Sequence, residues 1–324
     1  MGKGNQQEIY KFGAAFILDQ VNYFEGEIDG ALSEQDIEYV HRMRVASRRL
    51  RTALKLFEQH LPDNTAQIWR GEFKGITKAL GQARDLDIQI QWVEQMLMGD
   101  LARHYKPGYK RLVLRLKQER KKAQGKVNAA IDTLQTNETI KGIHTLLDVS
   151  GNDQGLPYTA VLYQKAFESI HTGIQGFLSY RKSIYSVNNS EPLHAMRIAG
   201  KHLRYTLEIF APLYEGGMTP FIEIMKGIQD QLGEIHDCDV WVAWLPKFIN
   251  QEESRIQAYL DHTRPIKRLL PGIQHLIEDR KIIRQAEYDA FLANWQAFTD
   301  QQTWKNLNEM VDPSTFFSRK QHNS

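Results

Sequence analysis

Apolar residues recur at helical spacing in long stretches near residues 7–29, 34–60, 65–98, 106–134, 157–184, 191–214, 219–249 and 273–310, with a shorter one at 138–149. Almost nothing alternates with period two, so the pattern predicts an all-α fold. Ser33, Pro62-Asp63-Asn64, Pro107-Gly108, Pro157, Pro192, Gly216-Gly217 and Pro271-Gly272 supply caps or turns between the stretches. Polar, glycine-containing residues from Ser150 to Gly155 lie near the middle of the chain and mark the expected boundary. An N-terminal helical bundle is expected over 1–150 and a C-terminal one over 151–324.

The two parts repeat one another. HRMRVASRRLRTALKLF at 41–57 aligns without gaps on HAMRIAGKHLRYTLEIF at 194–210, an offset of 153. Identical pairs are His41/His194, Met43/Met196, Arg44/Arg197, Ala46/Ala199, Leu50/Leu203, Arg51/Arg204, Leu54/Leu207 and Phe57/Phe210, and Arg48 faces Lys201. A second pair of segments, 74–92 and 226–244, follows at an offset of 152 and shares Gly75/Gly227, Leu80/Leu232, Gly81/Gly233, Asp85/Asp237, Asp87/Asp239 and Trp92/Trp244. A weaker echo pairs Lys110-Arg111-Leu112 with Lys267-Arg268-Leu269 and Glu119-Arg120 with Asp279-Arg280, and needs a three-residue insertion between them.

Turning each residue about 100° around a helix puts His41, Arg44, Arg48, Arg51 and Lys55 on one arc of about 80°. Met43, Ala46, Leu50, Ala53, Leu54, Phe57 and Leu61 fall on the roughly opposite face, the expected core side. His194, Arg197, Lys201 and Arg204 repeat the basic stripe, and Met196, Ala199, Leu203, Leu207 and Phe210 the apolar face, although Glu208 replaces Lys55. A solvated helix face normally mixes signs at i,i+4, whereas this row has one sign. Like charges about 8 Å apart repel by roughly 2 kcal/mol at an effective dielectric near 20. A row that costs stability in both halves suggests a bound anion that offsets it.

Charge composition shows that placement matters more than total. There are 41 Lys and Arg against 39 Asp and Glu, a net +2, so no global field draws in nucleic acid. Only Tyr205 lies within the stripe, where single-stranded nucleic acids would need aromatic platforms for stacking. Guanidinium and ammonium groups without such platforms suit an all-phosphate ligand: polyphosphate, inositol phosphates or triphosphates. The single cysteine, Cys238, removes intramolecular disulfides and cysteine-rich zinc sites. The N-terminus has no apolar signal core, and no stretch reaches the roughly 18 apolar residues of a membrane span, so a soluble cytoplasmic protein with no membrane partner is expected.

The doubled His-x-x-Arg-x-x-x-Arg/Lys-x-x-Arg helix resembles the signature of the CHAD family, named for recurring histidines on α-helices. The family's following Arg-Asp-x-Asp helix has counterparts in Arg84-Asp85-Leu86-Asp87 and, with His for Arg, in His236-Asp237-Cys238-Asp239. The resemblance spans nearly the whole chain. It implies two antiparallel helical bundles related by a pseudo-twofold, together forming one domain, with both stripes facing a shared central cleft or pore that holds inorganic polyphosphate. The Glu-x-Glu-x-Lys motif of the triphosphatase domain often fused to CHAD is missing, so the resemblance implies a stand-alone, non-enzymatic binding domain without a cofactor. Its expected place is at cytoplasmic polyphosphate granules, with possible protein partners there and no specific nucleic acid.

An enzyme acting on phosphoanhydrides with a metal is the alternative, but position i+4 from His41 is Val45 and from His194 is Ile198, so neither helix offers a histidine pair to one ion. Phosphotransfer through His41 or His194 lacks a visible acid or base beside them. Arg111 and Arg115 on one helix face, and Arg280 and Arg284 on another, are secondary candidates for extending the phosphate track. Asp85, Asp87, Asp237 and Asp239 suit salt bridges or capping, Gly75, Gly81, Gly227 and Gly233 close helix packing, and Met43, Met196, Trp92 and Trp244 the core.

Overall fold

The computed structural model describes residues 3–34, 36–62, 64–147, 158–187 and 190–315. Among them are eleven α-helices and no strand: α1 (Lys3–Gly26), α2 (Ile28–Ser33), α3 (Ile37–Leu56), α4 (Thr65–Met98), α5 (Lys106–Thr136), α6 (Thr139–Leu147), α7 (Ala160–Leu178), α8 (Ser190–Phe210), α9 (Thr219–Leu260), α10 (Ile266–Asp300) and α11 (Thr303–Val311). Pro157 and the expected boundary at 150–155 lie outside the described residues.

Capping chemistry explains where α3 begins. Asp36 is extended, and its carboxylate accepts from the Glu38 backbone N–H at 2.9 Å, satisfying one of the free donors of the first turn. Pro192 sits in the first turn of α8, where its missing N–H costs nothing. One other proline behaves differently from expectation. Pro271 does not end a helix: α10 starts upstream at Ile266 and runs through it, as α9 runs through Pro246 and on to Leu260, beyond the expected end at 249. Each proline forfeits one backbone bond, a loss that packing along the α9–α10 hairpin offsets. The stretch at 273–310 also splits, at Gln301-Gln302, where Gln302 takes a left-handed φ of 53°.

The apolar faces read from the sequence are the core faces. Met43, Leu50, Leu54 and Phe57 of the first stripe helix and Met196, Leu203, Leu207 and Phe210 of the second are fully enclosed. Truncating one, such as Leu50→Ala, would cost about 2–5 kcal/mol. The core does not divide at mid-chain. Ile17, Leu50, Phe73 and Val127 pack in one cluster with Ile170, Leu203, Met225 and Phe291, and a smaller cluster joins Val93, Tyr109 and Leu112 to Trp241, Leu245, Ile273 and Leu276.

Helix α3 packs on α8, and the α4–α5 hairpin meets the α9–α10 hairpin where α5 packs on α10. Phe57 and Phe210, matched by the 153-residue offset, touch edge to face at 6.0 Å. Gly108 and Gly272 also meet: a Cβ on Gly108 would lie 3.1 Å from the Gly272 Cα and 2.5 Å from the Leu269 carbonyl oxygen. That contact sets the register of the weaker echo. Pro107-Gly108 corresponds to Pro271-Gly272, an offset of 164, and the ion pairs Asp87–Arg120 at 2.6 Å and Asp239–Arg284 at 2.5 Å follow the same register. Arg120 therefore corresponds to Arg284, one helical turn beyond the Arg280 expected from sequence.

Candidate functional site

The α3–α8 contact turns the two basic stripes toward one another. Arg44 donates to Asp85 at 3.5 Å. Its pKa is lowered by burial and then by the charges of Arg48 and, across the halves, Arg197, with Asp85 pulling the other way. Arg197 is lowered by burial against the opposing pull of Asp237, and Arg48 of the other half pushes it further down. Lys201 carries the largest effect. Burial together with Arg48, Arg197 and Arg44 brings its pKa down to about 6, which favours the neutral amine at neutral pH.

Few counter-charges answer this crowding. Among the described residues, the side chains of Arg48, Arg51, Lys55, Arg197 and Lys201 make no ion pair. The buried Nε atoms of Arg51 and Arg197 and the buried Nδ1 of His41 have no hydrogen-bond partner. A buried donor left unpaired costs about 1–3 kcal/mol, so the two guanidinium Nε–H groups, one on each stripe, form a standing demand for acceptors, and the His41 ring nitrogen is a third unsatisfied polar atom beside them.

The histidines differ between halves. His41 is lowered by burial and by the neighbouring Arg84, and its Nδ1 is unpartnered. His194 is lowered by burial and by Arg197 and Lys201, and its Nδ1 shares a hydrogen bond with His236 Nδ1 at 3.0 Å. His236 stands where the first half has Arg84, and burial with Arg197, His194 and Lys201 takes its pKa to about 4. Asp237 beside it is pushed up to about 6, burial outweighing the pull of Arg197.

Arg204 stands apart from the rest of the stripe. It donates to Glu208 at 2.6 Å and to Gln229 at 3.0 Å, and Arg49 reaches the same Glu208 from the other half at 2.8 Å. Glu208 thus closes one end of the second stripe and ties the halves together. The secondary candidates are also engaged. Arg111 and Arg115 both bond the fully enclosed Glu252, at 3.2 and 2.6 Å, as does Arg255 at 2.5 Å. Arg280 is buried over the Trp92 ring at 3.8 Å and bonds Glu234 and Asp279, and Arg284 bonds Asp239. Helical spacing showed these arginines sharing faces, but those faces meet carboxylates of neighbouring helices.

Sequence reasoning passed over three participants. His202 faces the other half, its pKa lowered by desolvation and by Lys55, Arg48 and Arg51. Arg84 donates to Glu38 at 3.0 Å and crowds His41, and Arg49 holds Glu208. Their signal lay in the doubled motif, where Arg49 pairs with His202 and Arg84 with His236. Gly81 and Gly233 lie against the stripe, where a Cβ would sit in ordinary van der Waals contact, 3.5 Å from Arg44 Nε and 3.7 Å from Arg197 Nε, so the spacing does not itself demand glycine. Gly75 and Gly227 have open space around them, so close packing does not explain those two. Among the described residues, no three His, Cys, Asp or Glu side chains converge on a point that could hold a metal ion, and no helix is long and apolar enough to cross a membrane.

A family model for the CHAD domain matches residues 15–246, a span that holds both stripes and both Asp-x-Asp segments. The chain belongs to the CHAD domain family. Two solved structures share the fold. The CHAD domain from the plant Ricinus communis superposes with a TM-score of 0.67 at 19% identity, covering 89% of this chain and 92% of that one. PptA from Streptomyces chartreusis gives 0.58 at 14% identity, covering 89% and 99%. None of the curated proteins matches the chain. The CHAD match ends at Pro246, so Arg280 and Arg284 lie beyond it.

Proposed function

We propose that this CHAD protein binds inorganic polyphosphate without turning it over, along α3 and α8, and that the bound polymer places the protein at polyphosphate granules in the cytoplasm, where it can recruit other proteins. One observation carries the reading: cations of both halves crowd one another with unpaired buried donors and too few acids to answer them. A chain of phosphates offers several acceptor oxygens per unit and a negative charge at each step, so it answers both deficits together. Arg48 is the hub, since its charge bears on Arg44, Arg51, Arg197, Lys201 and His202.

The two stripes act on one ligand. A polymer held by one of them presents its remaining phosphates to the other at high effective concentration. Calorimetric titration with polyphosphates of graded length, run beside an assay for released phosphate, tests the reading. Saturable binding that weakens steeply with salt and releases no phosphate supports it. Affinity that ignores salt would sink the electrostatic account, and metal-dependent phosphate release would make the protein an enzyme instead.

A further inference from the structure

A concavity of about 880 Å³ lies beside the stripes rather than between them, walled by α4, α5 and α9. Its volume falls within the roughly 300–1,000 Å³ of small-molecule sites. Applying the two offsets, 152 from α4 to α9 and 164 from α5 to α10, gives its counterpart on the other side of the molecule. A cleft does lie there, lined by Trp92, Glu234, Trp241 and Arg280, but it holds only about 80 Å³.

Two exchanges make the difference. In the small cleft Arg280 lies flat over Trp92 at 3.8 Å, held by Glu234 and Asp279. In the large one the matched position is Leu116, too short to cover the matched ring of Trp244, which lines the cleft half-buried. Trp241, which fills the small cleft, is matched by the slimmer Gln89. The protein thus plugs one of two corresponding sites with its own planar cation and leaves the other open.

The exchanges also say what the open site accepts. Arg280's carboxylate partners are replaced: Gln82 stands for Glu234 and Arg115 for Asp279. A second planar cation would find no carboxylate in those two places. The cleft that Trp244 lines also carries the amides of Gln82, Gln89, Gln118 and Gln251, the ammonium groups of Lys78 and Lys122, and two carboxylates, Asp85 and Glu119, the latter paired with Lys122 at 2.8 Å. An indole lining an open cleft takes a flat ring, amides read donors and acceptors on its edge, and ammonium groups take an attached anion. From the paired clefts we propose that the open one binds a nucleoside phosphate, its base against Trp244 and its phosphates toward Lys78 and Lys122. A single platform suits one base rather than a strand. The cleft adjoins the first stripe through Asp85, which pairs with Arg44, but Leu116 and Trp244, on which the proposal turns, belong to α5 and α9 rather than to the stripe helices α3 and α8.

Fluorescence titration of the full chain with mant-ATP, displaced by ATP or by tripolyphosphate, tests it. ATP should displace the probe at least tenfold more effectively than tripolyphosphate, and equal displacement overturns the proposal. The double substitution Gln82→Glu with Leu116→Arg copies the natural plug. It should weaken ATP at least tenfold while polyphosphate affinity changes less than threefold, and unchanged ATP binding in a folded variant overturns the proposal. Should circular dichroism show that variant unfolded, photolabelling of the wild type with 8-azido-ATP decides: label on α4, α5 or α9 peptides supports the site, and label confined to α3 and α8, or none, refutes it. Polyphosphate binding without ATP binding would overturn this inference alone, and ATP binding without polyphosphate binding only the proposed function.

Discussion

The two basic helices carry the same motif, yet they are different electrostatic objects. Most of α3's stripe has fixed charge: Arg44, Arg48 and Arg51, with Lys55 free at its end. Along α8 the counterparts are muted, because Lys201 is driven down to about 6 and Arg204 is committed to Glu208, and on the neighbouring α9 His236, at about 4, stands where α4 has Arg84. Two fully charged stripes in contact would repel more strongly than this core need tolerate. A fixed stripe facing a titratable one lets the protein shed charge, and under the proposed function it would recover that charge on binding the polyanion. Duplicated sites held face to face thus diverge in chemistry while keeping their geometry.

Breaking the fixed side should have the largest effect. Arg48→Glu is expected to weaken polyphosphate binding by about 100-fold, through lost phosphate contacts and through the hub position of Arg48. Lys201→Glu should weaken it by about tenfold, since that group starts mostly neutral. Calorimetry on both variants gives the ratio, and equal losses would erase the asymmetry.

The titratable side is open to a pH experiment. A polyanion raises the pKa of Lys201 toward its ordinary value and those of His41 and His194 above their lowered ones, so the complex holds more protons than its parts. Affinity should therefore rise as pH falls from about 8 to about 6, by roughly tenfold, with net proton uptake visible as a dependence of the binding enthalpy on buffer ionisation. Replacing His41 and His194 by Gln should remove only part of that dependence, because Lys201 still titrates. Adding Lys201→Arg should remove most of the remainder.

A smaller change is expected from restoring symmetry. Glu208→Lys frees Arg204 and Arg49 and repeats the first stripe's Lys55, so polyphosphate should bind about three- to fivefold more tightly, at some cost in stability as measured by thermal melting. An affinity that falls instead would show that the tie between halves matters more to binding than the added charge.

The smallest effect concerns the unliganded protein. Lys201 binds a proton below about 10.5 when unfolded but only below about 6 when folded, so between those values the unfolded state holds the extra proton and stability rises with pH. The melting temperature should climb by roughly 2–4 °C from pH 6.5 to pH 9 in low salt. Lys201→Met should flatten that slope.

Much of this was legible in the sequence. Helical periodicity gave the all-α class, and the wheel separated the buried Met43, Leu50 and Leu54 from the stripe. The 153-residue offset marked which residues are matched, and Phe57 and Phe210 do meet. What stayed hidden depends on partners far along the chain. Periodicity shows that Arg111, Arg115, Arg280 and Arg284 share polar faces, but not that Glu252, Glu234 and Asp239 wait opposite. Pro271 read as a break because a local rule cannot see the hairpin packing that carries α10 through it. The open cleft was invisible for a similar reason, since Trp92 and Trp244 look equally apolar until one is found under an arginine and the other is not.

The meeting of Gly108 with Gly272 bears on how the chain reaches this structure. The two glycines are separated by 164 positions, and their backbones approach too closely for any side chain between them. Such a contact rewards the chain only after the loop between them has closed, and closure over that distance carries one of the larger entropic costs in the molecule. Helix hairpins form quickly from local contacts, so docking of α4–α5 against α9–α10 is expected to be the late, slow event of folding. Refolding should therefore show early helix formation followed by a slower phase in which the tryptophans of both hairpins bury together, and bulk at either glycine should lengthen that phase rather than the first.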